Sequence, residues 1–200
     1  MSNNIPGGAK VVVIGGGVAG CSVAYHLAKY GWNDVVLLER DQLTSGTTWH
    51  AAGLIGQLGA SATLTKIRNH SLNLYKELEN ETELSSGLKQ NGSLTVATTK
   101  GRLDELKRQV TTAQLFNVDA FEVSIEKIKE IYPLINVDDI VGGVFIARDG
   151  QADPVGVANV LAKAAKRTKR AKSLKEKQLF GFKREKAEKV RKKNRMLLVY

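Results

Sequence analysis

The chain is short of sulfur: Cys21 is its one cysteine among 200 residues. That excludes an internal disulfide and leaves no second thiol for a metal site, so a disulfide scaffold is ruled out and no metal ligand set is assigned. No apolar stretch reaches the length that crosses a bilayer. The first nine residues carry no lysine or arginine, and the apolar run behind them ends in glycines. Neither a secretory leader nor an Arg-rich transit peptide is visible, which points to a soluble, cytoplasmic protein. Aromatic residues are only 6% of the chain. Those near its end, Phe180, Phe182 and Tyr200, are too few to mark a base-stacking surface.

Acid is scarce in one region only. Residues 1–160 hold 14 basic and 17 acidic residues, a net of −3, whereas residues 161–200 hold 16 and 3, a net of +13. The overall charge of +10 therefore comes from the end of the chain. This divides the sequence into a domain over residues 1–162 and a basic tail, helical or disordered, over residues 163–200. The tail has three readings. It is an arm for nucleic acid or an anionic surface, a solvated charged helix, or an altered-frame or truncated end of a longer protein.

What is present begins with Val11-Val12-Val13-Ile14, which reads as a buried parallel strand. Gly15-Gly16-Gly17-Val18-Ala19-Gly20 follows, and then the helical stretch Cys21–Ala28. Glycines at a strand-to-helix turn are the setting for dinucleotide binding. Gly15 allows the tight turn, Gly17 a close approach to pyrophosphate, and Gly20 a helix lying close to the sheet. The helix N-terminus adds unpaired N–H groups and a positive dipole end. Gly31 fits the position just past the helix. A second strand, Val35–Leu38, ends at Glu39, placed to hold ribose hydroxyls. The fold class is thus α/β, a Rossmann-like domain with an N-terminal βαβ unit, expected to be incomplete.

Arg40–Gly53 is dense in small and hydroxylated residues and leaves the edge where ligands gather in open α/β sheets. His50 lies within it among residues small enough for close cofactor approach. By residue type alone it is a hydrogen-bonding, cofactor-holding or structural histidine. Farther on, a helix is predicted over 64–84, with Leu64, Ile67, Leu72, Tyr75 and Leu78 as its apolar stripe. Strands are predicted over 93–98, 121–123 and 141–147, and helices over 101–115 and 125–132. Ser124 caps the helix at 125–132. Asp153 caps a further helix opened by Pro154. Asp149 and Asp153 read as turn and cap residues ahead of any catalytic part, and no catalytic residue is assigned.

Val11–Glu39, Leu43–Gly53 with its Thr47-Thr48-Trp49-His50-Ala51-Ala52-Gly53 core, Gly92–Ala97 and Asp149–Pro154 together resemble the flavin-dependent amine oxidoreductases of the glutathione-reductase-like superfamily. The resemblance is to the dimethylglycine and sarcosine dehydrogenase group and covers about residues 8–166. It implies FAD as cofactor, with Gly15, Gly17 and Gly20 at the pyrophosphate and Glu39 at the ribose. Arg40, Thr47, Thr48 and Ala52 lie around the cofactor, and His50 is joined covalently to the isoalloxazine ring. The implied reaction is oxidation of a secondary or tertiary N-methyl amine such as dimethylglycine or sarcosine, with electrons passing to oxygen or a protein acceptor. The resemblance stops where the basic tail starts, which favours the altered-end reading and implies a fragment without activity. Two rival functions stand beside it. One is a nucleotide-fold binding protein that uses its tail on nucleic acid or an anionic surface. The other is an NAD(P)-dependent dehydrogenase, which shares the glycine turn but gives no reason for His50.

Overall fold

In the structure, a computed structural model, residues 9–167 and the backbone of residues 197–199 are described. Strand β1 (Val11–Ile14) runs into helix α1 (Val18–Lys29) and strand β2 (Val35–Leu38). A single 3-10 turn, Thr48–His50, precedes the short strand β3 (Leu54–Ile55). Helix α2 (Ala62–Thr82), strand β4 (Ser93–Ala97), helix α3 (Lys100–Gln114), strand β5 (Ala120–Val123) and helix α4 (Ile125–Ile131) follow. Strands β6 (Gly142–Ile146) and β7 (Gly150–Gln151) lead to helix α5 (Pro154–Arg167), and Leu197–Val199 form β8.

These elements fall into two units. The first comprises Met1–Gly53, Tyr75–Gly87 and Asp153–Tyr200. Its sheet has the order β2-β1-β8, all parallel, with Val11 opposite both Val35 and Leu197. β2 is buried along its whole length, which explains why its sequence is an unbroken apolar run rather than an alternation. Helix α1 buries Cys21, Ala24, Tyr25 and Ala28, a spacing of three, one and three that makes one helical stripe. Three of the four are small, and α1 packs closely against α5. Gly31, at φ +88°, ends α1 by donating its N–H to the Ala28 carbonyl at 3.1 Å, the left-handed stop that a glycine makes without a Cβ penalty.

The second unit comprises Leu54–Leu74 and Leu88–Ala152. It holds an antiparallel sheet of order β4-β6-β5 and a two-stranded β3-β7 ribbon. Ala97, Leu106, Ala113, Val118, Ala120 and Val144 make its main core, and Val123, Ile128 and Ile140 a second one. Thr99 and Ser124 cap α3 and α4, accepting from the N–H groups of Arg102 at 3.2 Å and Lys127 at 3.4 Å.

The structure moves one expectation, the apolar stripe of the helix over 64–84. In α2 the expected stripe is only partly buried: Leu64 and Ile67 are about half exposed, at 44% and 54%, while Leu72, Leu74 and Leu78 are buried. The apolar spacing was right for a helix, but burial follows what packs on it. Helix α5 continues past residue 162 to Arg167. Residues 168–196, which carry most of the basic tail, lie outside the described residues, and so do the readings placed on them.

Candidate cofactor cleft

The glycine turn is built by three separate constraints. Gly15 has φ +106°, a conformation that side-chain-bearing residues rarely take. Its N–H donates to the Leu38 carbonyl at 2.8 Å, joining the turn to the end of β2. A Cβ on Gly20 would overlap the Gly15 carbonyl oxygen, so Gly20 serves the approach of α1 to the turn. A Cβ on Gly17 would sit 2.9 Å from Thr48 Oγ1. Gly16, given no part by the sequence reading, is equally confined: its Cβ would lie 2.6 Å from Leu43 Cδ2 and 3.0 Å from Glu39 Cβ.

Glu39 stands at the C-terminal end of β2 and faces this turn. Its Oε2 accepts the Gly16 N–H at 2.6 Å and its Oε1 accepts the Asp41 N–H at 3.1 Å. Two N–H donors fix the carboxylate without using all of its lone pairs, so it can still accept hydroxyl protons. The loop after it folds back over the turn. The Thr44 N–H donates to the Gly16 carbonyl at 3.0 Å, and Thr48 Oγ1 accepts the Val18 N–H at 2.9 Å. Thr44 is buried at φ +71°, a costly conformation for a β-branched residue that packing must enforce.

Together these residues enclose a cleft of about 830 Å³ lined by Gly15, Gly17, Val18, Ala19, Glu39, Arg40, Ser45, Gly46, Thr47, Thr48 and Ala51, with Ile14 and Leu38 at its floor. Such a volume is within the range of small-molecule sites. Its chemistry suits a dinucleotide. Backbone N–H groups at a helix N-terminus suit phosphate, and a carboxylate at the end of β2 suits ribose. Of the predicted site residues, Gly15, Gly17, Glu39, Arg40, Thr47 and Thr48 line the cleft. Gly20 stands behind it. His50 and Ala52 are outside the lining, and both are exposed.

His50 ends the 3-10 turn, against which α5 packs. Its Nδ1 lies 3.2 Å from the Gly46 carbonyl oxygen. A carbonyl only accepts, so this contact places the proton of the neutral ring on Nδ1 and leaves the lone pair on Nε2. The Trp49 ring lies beside it, with centroids 3.8 Å apart and planes at 36°.

The two aspartates read as turn and cap residues separate in role. Asp153 caps α5, accepting the N–H groups of Val155 and Gly156, both at 3.0 Å. Asp149, in the second unit, is buried and accepts from the Gln57 N–H and the Ser93 hydroxyl, both at 2.7 Å. It is a cross-link between distant segments. Its partners are 92 and 56 residues away, so no local pattern announced them. Among the described residues no cluster of His, Cys, Asp and Glu could hold a metal ion.

Comparison with known proteins gives the family. The family described as DAO, FAD dependent oxidoreductase, matches residues 10–195. Human mitochondrial sarcosine dehydrogenase is 46% identical over 165 residues, which cover 82% of this chain and 18% of that protein. Rat mitochondrial dimethylglycine dehydrogenase is 45% identical over 159 residues, covering 80% and 19%. Among solved structures, L-proline dehydrogenase from P. horikoshii superposes with a TM-score of 0.78 at 28% identity, over 87% of this chain and 45% of that one. The chain thus spans about a fifth of the length of these curated relatives. They also overturn the cytoplasmic expectation, since both are mitochondrial proteins. The physical reason is plain: an import address is read from a leader by a receptor and leaves no mark on a folded nucleotide-binding domain.

Proposed function

The chain belongs to the family of FAD dependent oxidoreductases and its cofactor is FAD; from that premise we propose that it serves the oxidation of a secondary or tertiary N-methyl amine, of the dimethylglycine or sarcosine kind, in mitochondria. The observation that carries this reading is the cleft bounded by the glycine turn, Glu39 and the Thr47–Thr48 loop. The substrate class rests on the likeness to the sarcosine and dimethylglycine dehydrogenases.

The N–H groups of Gly17 and Ala19 would hold the pyrophosphate, with the dipole of α1 behind them. Glu39 would accept hydrogen bonds from the ribose hydroxyls on the lone pairs that the N–H groups of Gly16 and Asp41 leave free. Arg40 and Thr47 would border the bound cofactor, and Ala52, small and exposed, would allow the ring to come near. His50 would hold the flavin ring by a covalent bond from Nε2, the nitrogen that its contact with Gly46 leaves unprotonated, to a methyl carbon of the ring that loses a proton, the two electrons released passing through the flavin to oxygen. The chemistry the flavin supplies is acceptance of a hydride from the carbon beside the amine nitrogen, with the resulting iminium trapped by water or a folate and the electrons passed to oxygen or a protein acceptor.

Titration of the purified chain with FAD tests the cleft. Saturable binding is expected, without competition from NADPH. Gly17→Val places two methyl groups where Thr48 Oγ1 already leaves no room, and FAD affinity should fall by at least about tenfold, the cost of a lost close approach being above ~1.4 kcal/mol. Unchanged affinity in Gly17→Val would show that FAD binds elsewhere.

A further inference from the structure

Helix α1 has no capping side chain of its own. Its N-cap is Gly17, in extended conformation, with no side-chain bond to the first turn. The donor of the first helical residue is instead satisfied from 30 residues away, where Thr48 Oγ1 accepts the Val18 N–H at 2.9 Å. Thr48 is 8% exposed, and the hydroxyl occupies the space beside Gly17 that a cap side chain would fill. A second threonine of the same loop fixes the approach, through the bond from the Thr44 N–H to the Gly16 carbonyl.

We propose that Thr48 is the N-cap of α1 delivered from the loop, and that it acts as a positioning residue for the segment that carries His50. A helix start and the 3-10 turn Thr48–His50 are then one mechanical piece: whatever orders the first turn of α1 orders His50. The hydroxyl accepts from Val18 with one lone pair and keeps its own proton to donate, and Thr48 lines the cleft. A pyrophosphate oxygen accepting a hydrogen bond from that hydroxyl would polarise it and strengthen its bond to Val18. Cofactor binding and docking of the loop thereby support each other. This coupling rests on the FAD reading of the cleft; the cap itself does not.

The test uses the full chain and the variants Thr48→Val, which keeps shape and removes the hydroxyl, and Thr48→Ser, which restores it. Hydrogen exchange is measured without cofactor, and FAD affinity by titration. In the wild type, the Val18 amide should exchange more slowly than that of Ala19, a comparison that requires no variant. In Thr48→Val, Val18 exchange should speed up and FAD affinity weaken, each by about five- to tenfold, as for a lost cap. Thr48→Ser should recover both. Equal exchange at Val18 and Ala19 in the wild type, unchanged exchange in Thr48→Val, or a serine as defective as valine overturns the proposal. Absence of any FAD binding by the wild type would overturn the cofactor reading and its coupling while the exchange data still decide the cap.

Discussion

Three glycines of one turn answer to three constraints: a backbone angle at Gly15, space beside Thr48 at Gly17, and contact with a carbonyl at Gly20. The Gly20 constraint gives a sharp stability prediction. Gly20→Ala forces a methyl into the Gly15 carbonyl oxygen, and α1 must shift away from the turn. The variant should lose about 1–3 kcal/mol, the usual cost of overpacking, read as a lower urea midpoint; a wild-type midpoint would mean that the helix approaches less closely. The tight turn at Gly15 and the close approach at Gly20 were legible in the sequence because strand, turn, helix and strand follow one another within thirty residues. Gly16 and Thr44 were not, since their roles come from the loop that folds back on them. Thr48 was read as a cofactor neighbour; its bond to Val18 crosses 30 residues and has no local signature.

At the scale of elements, caps carried most of the foresight. Ser124 and Asp153 were readable because a capping side chain bonds within three residues of itself, and both bonds are present. Asp153→Ala should cost about 1 kcal/mol and lower the Tm by about 2–4 °C for a chain of this size. Asp153→Asn should keep nearly all of it, since an amide oxygen still accepts; equal losses in the two variants would assign the effect to charge. The β3-β7 ribbon could not be seen, because two strands of two residues each carry no periodicity. The buried face of α2 was half visible. Its helical spacing is in the sequence, but Leu64 and Ile67 are about half exposed.

At the scale of the whole molecule, the cofactor is set by the family and not by the turn. The βαβ opening identifies a dinucleotide site without choosing the dinucleotide. The choice of FAD comes from the family to which the chain belongs, and it disposes of the NAD(P) alternative that the glycine turn alone left standing. His50 joins the opening to the proposed chemistry, on a loop bonded to the glycine turn at Gly16 and Val18. The most direct test is to load the full chain with FAD, denature it, and ask whether flavin fluorescence stays with the polypeptide. Retention by the wild type and release from His50→Ala, with wild-type exchange at the Val18 amide in both, is the predicted result. Flavin released from the wild type, or retained by His50→Ala, would contradict the assignment of His50 as the residue that holds the ring.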